Sequence, residues 1–100
     1  MAFPKRVDKN QPEIVAAFRK LGASVLILSM VGKGCPDILV GMYNTNWLVE
    51  IKNGENSPSQ RKLTVDEQLF FDSWHGQVCI INSVEEAAQL VKKIIETVQC

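Results

Sequence analysis

Three charged residues lie at the ends of two apolar segments and are of the types that hold metal ions and activate water. Asp37 precedes the apolar residues 38–42, and Glu50 and Lys52 close a second apolar segment. Both segments are rich in β-branched and aliphatic residues, and the polar residues 43–46 between them predict a turn. The pattern therefore predicts a β-hairpin whose open end carries these charges.

The register expected for this hairpin puts the three charged side chains on one face. With Met42 opposite Trp47, Asp37 lies opposite Lys52. Strand side chains alternate between faces, so Asp37, Glu50 and Lys52 project from the same face. The two carboxylates are then diagonal neighbours that can converge on one cation. Because carboxylates and a lysine are costly among apolar side chains unless they act together, the spacing predicts a metal site.

The same residues carry a resemblance to a known family. A Pro-Asp pair at 36–37, followed after twelve residues by Glu-Ile-Lys at 50–52, resembles the PD-(D/E)xK signature of metal-dependent nucleases. The segments GCPDILVG, LVEIKNG and SPSQRKLTVDEQLFFDSWHGQVCII are similar to those of small phage and bacterial VRR-NUC proteins. Archaeal Holliday-junction resolvases are more distantly similar. The resemblance covers roughly residues 8–88 and implies a single VRR-NUC-like nuclease domain over residues 1–100.

The resemblance also implies the chemistry of the site. Asp37 and Glu50 would bind Mg²⁺ or Mn²⁺, helped by Glu13 on the first helix and by the backbone carbonyl of Ile51. Hard carboxylate oxygens without histidine or cysteine select these ions rather than zinc. Lys52 would orient the attacking water or stabilise the pentacovalent phosphorus. The implied activity is a DNA endonuclease that hydrolyses phosphodiester bonds and selects branched DNA, such as Holliday junctions or flaps.

Length and composition are those of one globular domain. The chain has 100 residues, of which 46% are hydrophobic and 22% charged, and no apolar run is long enough to span a bilayer. Its three cysteines form no CxxC pair, and a single histidine gives little support for zinc. We expect a reducing cytoplasm, that of a bacterium or a phage-infected host, and no membrane partner.

Basic residues are unevenly placed although the formal net charge is zero. Lys33 lies in a Gly-Lys-Gly turn, and Arg61 and Lys62 follow the hairpin. A zero net charge does not favour a nucleic-acid partner, and each basic residue alone is an ordinary solvated surface group. If the three lie together in the fold, they form a track for DNA phosphates. We assign DNA binding to them on this basis.

The first helix is expected from Gln11 to Gly22, with Asn10 as its N-cap and the glycine as its stop. The expected buried side chains are those of Ile14, Val15, Phe18 and Leu21. Glu13 lies on the flank of this stripe, and two roles are possible for it. It can complete a capping box with Asn10, or it can be a third acidic group at the metal site, as the helical glutamate is in the resembled family. The two roles are not exclusive.

A second helix is expected over residues 65–75. Thr64 and Glu67 have the spacing of a capping box. Phe70 and Trp74 are four residues apart on one face, and this spacing predicts that both are core aromatics. Glu67 and Gln68 lie one turn earlier and are candidates to face the catalytic surface.

The remaining elements complete an α-β-β-β-α-β-α order. Strands are expected at 24–29 and 77–81, and a final helix begins after Ser83. The helix between the third and fourth strands is a crossover that makes those strands parallel. Helices on both faces of such a mixed sheet give an α/β sandwich. The resemblance implies the same architecture, a restriction-endonuclease-like αβββαβα fold.

Two further questions are open from the sequence. The last helix has a long apolar stripe that Ile95 widens, and a small domain has difficulty covering such a stripe. Because the related resolvases are also two-fold dimers, we expect a homodimer.

A non-catalytic module that retains the nuclease fold is the alternative to an enzyme. A metal-binding structural protein in which Lys52 only pairs with Asp37 across the hairpin is another, but it leaves Glu50 without a role on the same face.

Overall fold

The computed structural model describes residues 7–98, and the order of its seven elements is the predicted one. Cys100 lies outside the described residues. The elements are α1 (Gln11–Lys20), β1 (Ser24–Ile27), β2 (Ile38–Met42), β3 (Thr45–Ile51), α2 (Val65–Ser73), β4 (Val78–Ile81) and α3 (Val84–Val98). They form one four-stranded sheet in the order β1-β2-β3-β4. β1 pairs antiparallel with β2, and β2 pairs antiparallel with β3, whereas β3 and β4 are parallel. The predicted mixed α/β architecture is therefore confirmed.

Helices α1 and α3 cover one face of the sheet and enclose the hydrophobic core. The core takes alternate residues of the central strands, together with one stripe from each helix. Its buried members include Ile14, Phe18, Ile38, Val40, Val49, Ile51, Ala87, Leu90, Val91 and Ile94. Leu21 was expected in the α1 stripe, but 44% of its surface is exposed because the helix ends at the preceding residue. Gly22, at a φ of 98°, then turns the chain toward β1.

The apolar stripe of α3 is covered within the domain itself. Ala87, Leu90, Val91 and Ile94 are all buried against α1 and the sheet. The stripe therefore does not require a second subunit, and the reason given above for a homodimer does not hold. No helix among residues 7–98 is long and apolar enough to cross a bilayer.

Helix α2 lies on the opposite face and packs much more lightly. Its capping box is formed as predicted, since Thr64 Oγ1 accepts from Glu67 N and the Glu67 side chain accepts from Thr64 N. Phe70 and Trp74 stack with ring centroids 5.2 Å apart. They are not core residues, however, because Trp74 is 45% exposed and neither joins the core cluster. The only buried side chain of α2 is that of Glu67.

The hairpin turn differs from the prediction by two residues. Ile38 pairs with Val49 and Met42 with Thr45, so the turn consists of Tyr43 and Asn44 alone. Both have positive φ, 52° and 59°. This is the conformation of a type I′ turn, which matches the twist of the strands. Because the register error is an even number of residues, it moves no side chain to the other face.

The tyrosine in this turn predicts a stabilising substitution. A bulky side chain is unfavourable at positive φ, whereas asparagine tolerates it. Tyr43 is 56% exposed and loses little packing on replacement. Tyr43→Asn should therefore stabilise the domain by about 0.5–1 kcal/mol. Urea unfolding measures the change, with Tyr43→Val as a destabilised comparison. Equal midpoints for all three proteins would show that the turn conformation is not under strain.

Candidate active site

The buried polar side chains of the described region gather at one end of the sheet. Within residues 7–98 they are Asn10, Gln11, Ser29, Asp37, Glu50, Lys52 and Glu67. Asp37 immediately precedes β2, Lys52 follows β3, and Ser29 follows β1, which runs antiparallel to β2. The strand directions therefore bring these chain segments together at the end away from the hairpin turn. Elsewhere the interior is apolar, so this end is where the fold concentrates polar chemistry.

Asp37 and Glu50 are direct cross-strand neighbours. The observed register, continued by one residue from Ile38 and Val49, pairs Asp37 with Glu50. The predicted pairing of Asp37 with Lys52 is therefore wrong by two residues, because the turn is shorter than expected. The predicted common face is retained. Both carboxylates are almost fully buried, with exposures of 2% and 0%.

The Asp37 carboxylate is held in place by the backbone of β3. Its Oδ2 accepts a hydrogen bond from Ile51 N at 2.6 Å. The N–H and C=O groups of one strand residue point to the same neighbouring strand, so the Ile51 carbonyl also faces the β2 side. The Ile51 carbonyl lies beyond the pair of Ile38 and Val49, which is the last pair between β2 and β3 at this end of the hairpin. This is the direction that a carbonyl ligand at the site requires.

Lys52 is placed between two carboxylates. Its Nζ lies 2.8 Å from Glu67 Oε1 and 3.4 Å from Glu50 Oε2, and the lysine side chain is 11% exposed. The shorter contact is a charge-assisted hydrogen bond. Removing one partner of a buried pair typically costs about 3–5 kcal/mol, because an uncompensated charge remains. Lys52 and its partners are therefore a structural unit as well as a candidate catalytic group.

Asn10 joins the helix to the ends of two strands. It occupies the N-cap position of α1, but its side chain makes no capping hydrogen bond. Instead its Nδ2 donates to the carbonyls of Lys52 and Asn82, both at 3.0 Å. The capping box proposed for Glu13 is therefore not formed. The amide of Asn10 fixes the start of α1 against the chain at the ends of β3 and β4.

Gln11, and not Glu13, is the first-turn side chain that α1 directs into the domain. The buried stripe of the helix is Gln11, Ile14, Val15 and Phe18, at the helical spacing of three and four residues. Glu13 falls outside this stripe and is exposed. Gln11 Nε2 instead reaches the buried Ser29 Oγ at 3.3 Å.

The structure does not group Glu13 with Asp37 and Glu50. Within residues 7–98, no three histidine, cysteine, aspartate or glutamate side chains are arranged to hold a metal ion. Glu13 lines a neighbouring groove of about 560 Å³ together with Asn10, Arg61 and Asn82. Its role as a ligand stays a prediction that the structure does not test.

The donors that are present suit a hard divalent cation held by few protein ligands. Mg²⁺ is usually bound by one or two carboxylates, with waters and substrate phosphates completing its shell. Asp37 and Glu50 supply two carboxylates on one face. Asn10 Oδ1 and Gln11 Oε1 are buried acceptors with no hydrogen-bond partner among residues 7–98. Since such acceptors are costly, a cation or its bound water is a suitable partner for them.

The three predicted DNA-binding residues are distributed around the site. Lys33 is exposed, at a φ of 54°, in a loop that packs closely on α2, where a Cβ at Gly34 would collide with the Asp66 carbonyl oxygen. Lys62 is exposed, and Arg61 is partly buried in the groove beside Asn10. Lys33 and Arg61 line two different depressions, and the DNA-binding role of the three residues stays a prediction.

Thiol chemistry has little support at this site. Burial raises the pKa of Cys79 to about 11, an effect that outweighs the opposing charge of Lys93, so this thiol is protonated at neutral pH. Cys35 and Cys79 form no disulfide. The donor chemistry of the cluster remains that of oxygen atoms and one ammonium group.

Sequence reasoning missed Asn10, Gln11 and Ser29 as members of the cluster. Gln11 did carry a signal, because it extends the apolar stripe of α1 by one turn at a position where a polar residue would not otherwise be expected. Asn10 and Ser29 carried none. Their partners are distant in the chain, 42 residues away for Asn10 and 18 for Ser29.

Comparisons with known proteins point in the same direction as the site. A scan against protein-family models gives no match, and a search of curated proteins gives none either. Among solved structures, the fold is similar to one titled "VRR_NUC domain", with a TM-score of 0.57 and 28% sequence identity. The similarity covers 82% of this chain and 89% of that one. It supports the family resemblance carried by the motif residues and indicates a nuclease domain.

Proposed function

We propose, from a fold and motif that support the VRR-NUC family, that this chain is an Mg²⁺- or Mn²⁺-dependent DNA endonuclease. One observation carries the proposal: the buried polar side chains meet at one end of the sheet, with Asp37, Glu50 and Lys52 among them. A domain this small buries charge only at a cost, and the three residues of the nuclease signature account for most of that charge.

Each residue has a role that its surroundings support. Asp37 and Glu50 would hold the cation, with the Ile51 carbonyl directed to the same side. When bound, the ion would supply an activated water and neutralise charge on the scissile phosphate. The Lys52 ammonium, 3.4 Å from Glu50, is placed to orient that water or to donate to a phosphate oxygen. We retain Glu13 as an outer candidate at the rim of the site.

Two alternatives explain less of the structure. A structural pair of Asp37 and Lys52 gives no reason for the full burial of Glu50 beside them. A non-catalytic module that keeps the fold requires none of the signature residues, yet all three are present and buried at one end of the sheet. Hydrolysis by a metal-assisted water uses every one of them.

We propose branched DNA as the substrate and a homodimer as the active form, both on the basis of the family resemblance. A four-way junction requires two symmetric cuts, which two subunits supply. The apolar surface that supports a dimer lies near β1 rather than on α3. Leu26, Ile27, Met30 and Val31 are each between 46% and 73% exposed, on and just after an edge strand. Exposed apolar surface next to an open strand edge is typical of protein interfaces.

Loss of either signature carboxylate should abolish cleavage. Asp37→Asn and Glu50→Gln preserve side-chain shape but remove a negative charge from the cation site, so metal-dependent cleavage should fall by about 10²-fold or more. The assay is a panel of labelled duplex, flap, single-stranded and four-way-junction DNAs with Mg²⁺ or Mn²⁺. Asp72→Asn, an exposed substitution on α2, is the matched control. Wild-type rates in both site variants would refute the nuclease assignment, and equal rates on all DNAs would refute branch selectivity.

DNA affinity should depend on salt through the exposed basic residues. Each phosphate contact contributes roughly −0.9 to the log–log slope of affinity against salt on B-DNA. Lys33→Ala and Lys62→Ala should therefore each weaken binding for all sequences and flatten the slope by about one. Arg61→Ala should act similarly if its guanidinium reaches DNA from the groove. Measurements in Ca²⁺ would separate binding from cleavage. Lys92→Ala, exposed on α3, should change neither quantity, and an unchanged slope for Lys33 and Lys62 would remove them from the DNA surface.

The homodimer is testable by sedimentation at micromolar concentration. We expect a species of twice the 11.2 kDa chain mass. Leu26→Lys and Met30→Lys should convert it to monomer, because a charge on an apolar interface is strongly unfavourable. Val98→Lys, at the exposed end of α3, is the control, because we do not expect α3 to form the dimer interface. This variant should remain a dimer. A monomer in the wild type would exclude the dimer.

A further inference from the structure

We infer that Glu67 is the positioning residue for the Lys52 ammonium, a role that the signature motif does not assign. The inference rests on the proposed nuclease function and extends it to a residue on a different element. Glu67 is 3% exposed and belongs to α2, whereas the signature residues belong to the hairpin. Its carboxylate makes the shorter of the two contacts described for Lys52, 2.8 Å against 3.4 Å to Glu50.

One oxygen atom of Glu67 performs two tasks. Oε1 accepts from Lys52 Nζ at 2.8 Å and from Thr64 N at 2.8 Å. The second bond is half of the capping box, whose other half runs from Glu67 N to Thr64 Oγ1 at 3.2 Å. The Thr64 backbone N–H thus holds the carboxylate in place, and this bond does not involve the Thr64 hydroxyl. The N-terminal end of a helix also favours the ionised form of a carboxylate.

This arrangement determines which carboxylate the ammonium favours. Lys52 and Glu50 are two residues apart on one face of β3, so they can pair directly without any help from α2. A close pair between them would compete with a cation for the Glu50 oxygens. Glu67 draws the ammonium toward α2 and leaves the contact to Glu50 at 3.4 Å. The lysine therefore stays beside the cation site without occupying it.

The same bond fixes where α2 sits. Glu67 is the only buried side chain of this helix, so the helix has little other packing to set its position. Because Lys52 and Thr64 share one acceptor atom, the loop at 53–63 is closed at its base by Glu67. A merely structural role for Glu67 is thus the competing explanation, and the test must separate the two.

Glu67→Gln separates them because glutamine can also close a capping box. The variant keeps an acceptor for Thr64 N but removes the charge that attracts Lys52. Lys52 should then move onto Glu50, so the Kd for Mn²⁺, measured by calorimetry without DNA, should rise about 10-fold or more. Cleavage should fall by a similar factor, about 10–100-fold. The melting temperature should fall, because a buried charge pair is weakened, but by no more than in Thr64→Ala, since Lys52 keeps Glu50 as its partner.

Two variants on the same helix turn are the matched controls. Thr64→Ala removes the capping hydroxyl and leaves the Glu67 carboxylate, so it should lower Tm by about 4–8 °C while Mn²⁺ affinity and cleavage hold. Asp66→Asn removes one negative charge from the exposed side of the turn and should leave Mn²⁺ affinity within about twofold, since exposed charges are screened. Lys52→Ala is less suitable as a single test, because it leaves two buried carboxylates without their cation.

The outcomes distinguish this inference from the nuclease assignment. If Glu67→Gln matches Asp66→Asn in Mn²⁺ affinity, Glu67 is structural and the inference is wrong. The inference is also wrong if the loss of Mn²⁺ affinity and cleavage in every variant is in proportion to its loss of Tm. If the wild type binds Mn²⁺ with the expected dependence on Glu67 but cuts no DNA, the positioning role stands and the nuclease function fails. If the wild type cuts DNA and Glu67→Gln cuts equally well, the nuclease function stands and the positioning role of Glu67 fails. A wild type that binds no Mn²⁺ would overturn both.

Discussion

The burial of the Lys52 ammonium between Glu50 and Glu67 is the interaction on which the rest of this structure depends. A charge removed from water is tolerated only where opposite charges and hydrogen bonds replace its hydration. Here the replacement comes from two elements, the end of β3 and the first turn of α2. Because Glu67 is the only buried side chain of α2, the ion pair also attaches that helix to the sheet. The bond that organises the site is therefore also part of the fold.

The face of the hairpin was predictable from sequence because alternation is a robust property of strands. The register was wrong by two residues, yet Asp37, Glu50 and Lys52 remained on one face, since only an odd error moves side chains across the sheet. The turn itself was not predictable. A tyrosine at positive φ is unfavourable locally, and the two-residue turn forms because the twist and pairing of the long strands outweigh that cost.

Predictions failed where a local pattern competed with distant partners. Asn10 has the sequence position of a helix cap, but its amide instead binds carbonyls that lie 42 and 72 residues away. Phe70 and Trp74 have core spacing, but the face of the sheet above which α2 lies is shared with the charged site, and the helix does not pack closely enough to bury them. In each case the sequence pattern predicted a chemically reasonable local interaction, whereas the structure has an interaction set by residues distant in the chain.

The formal charge of the cluster gives a reason for neutral amides at the start of α1. Asp37, Glu50 and Glu67 contribute −3 and Lys52 contributes +1, so the buried groups sum to −2. With all four groups ionised, this sum equals in magnitude the charge of the single divalent cation that we propose for the site. A buried glutamate in place of Gln11 would raise the sum to −3 and would have to be compensated by more bound positive charge. The amide oxygens of Asn10 and Gln11, which have no hydrogen-bond partner among residues 7–98, add no charge at the start of α1. Negative charge for any further cation would then come from the phosphate of the substrate, and metal binding beyond the first ion would be coupled to DNA binding.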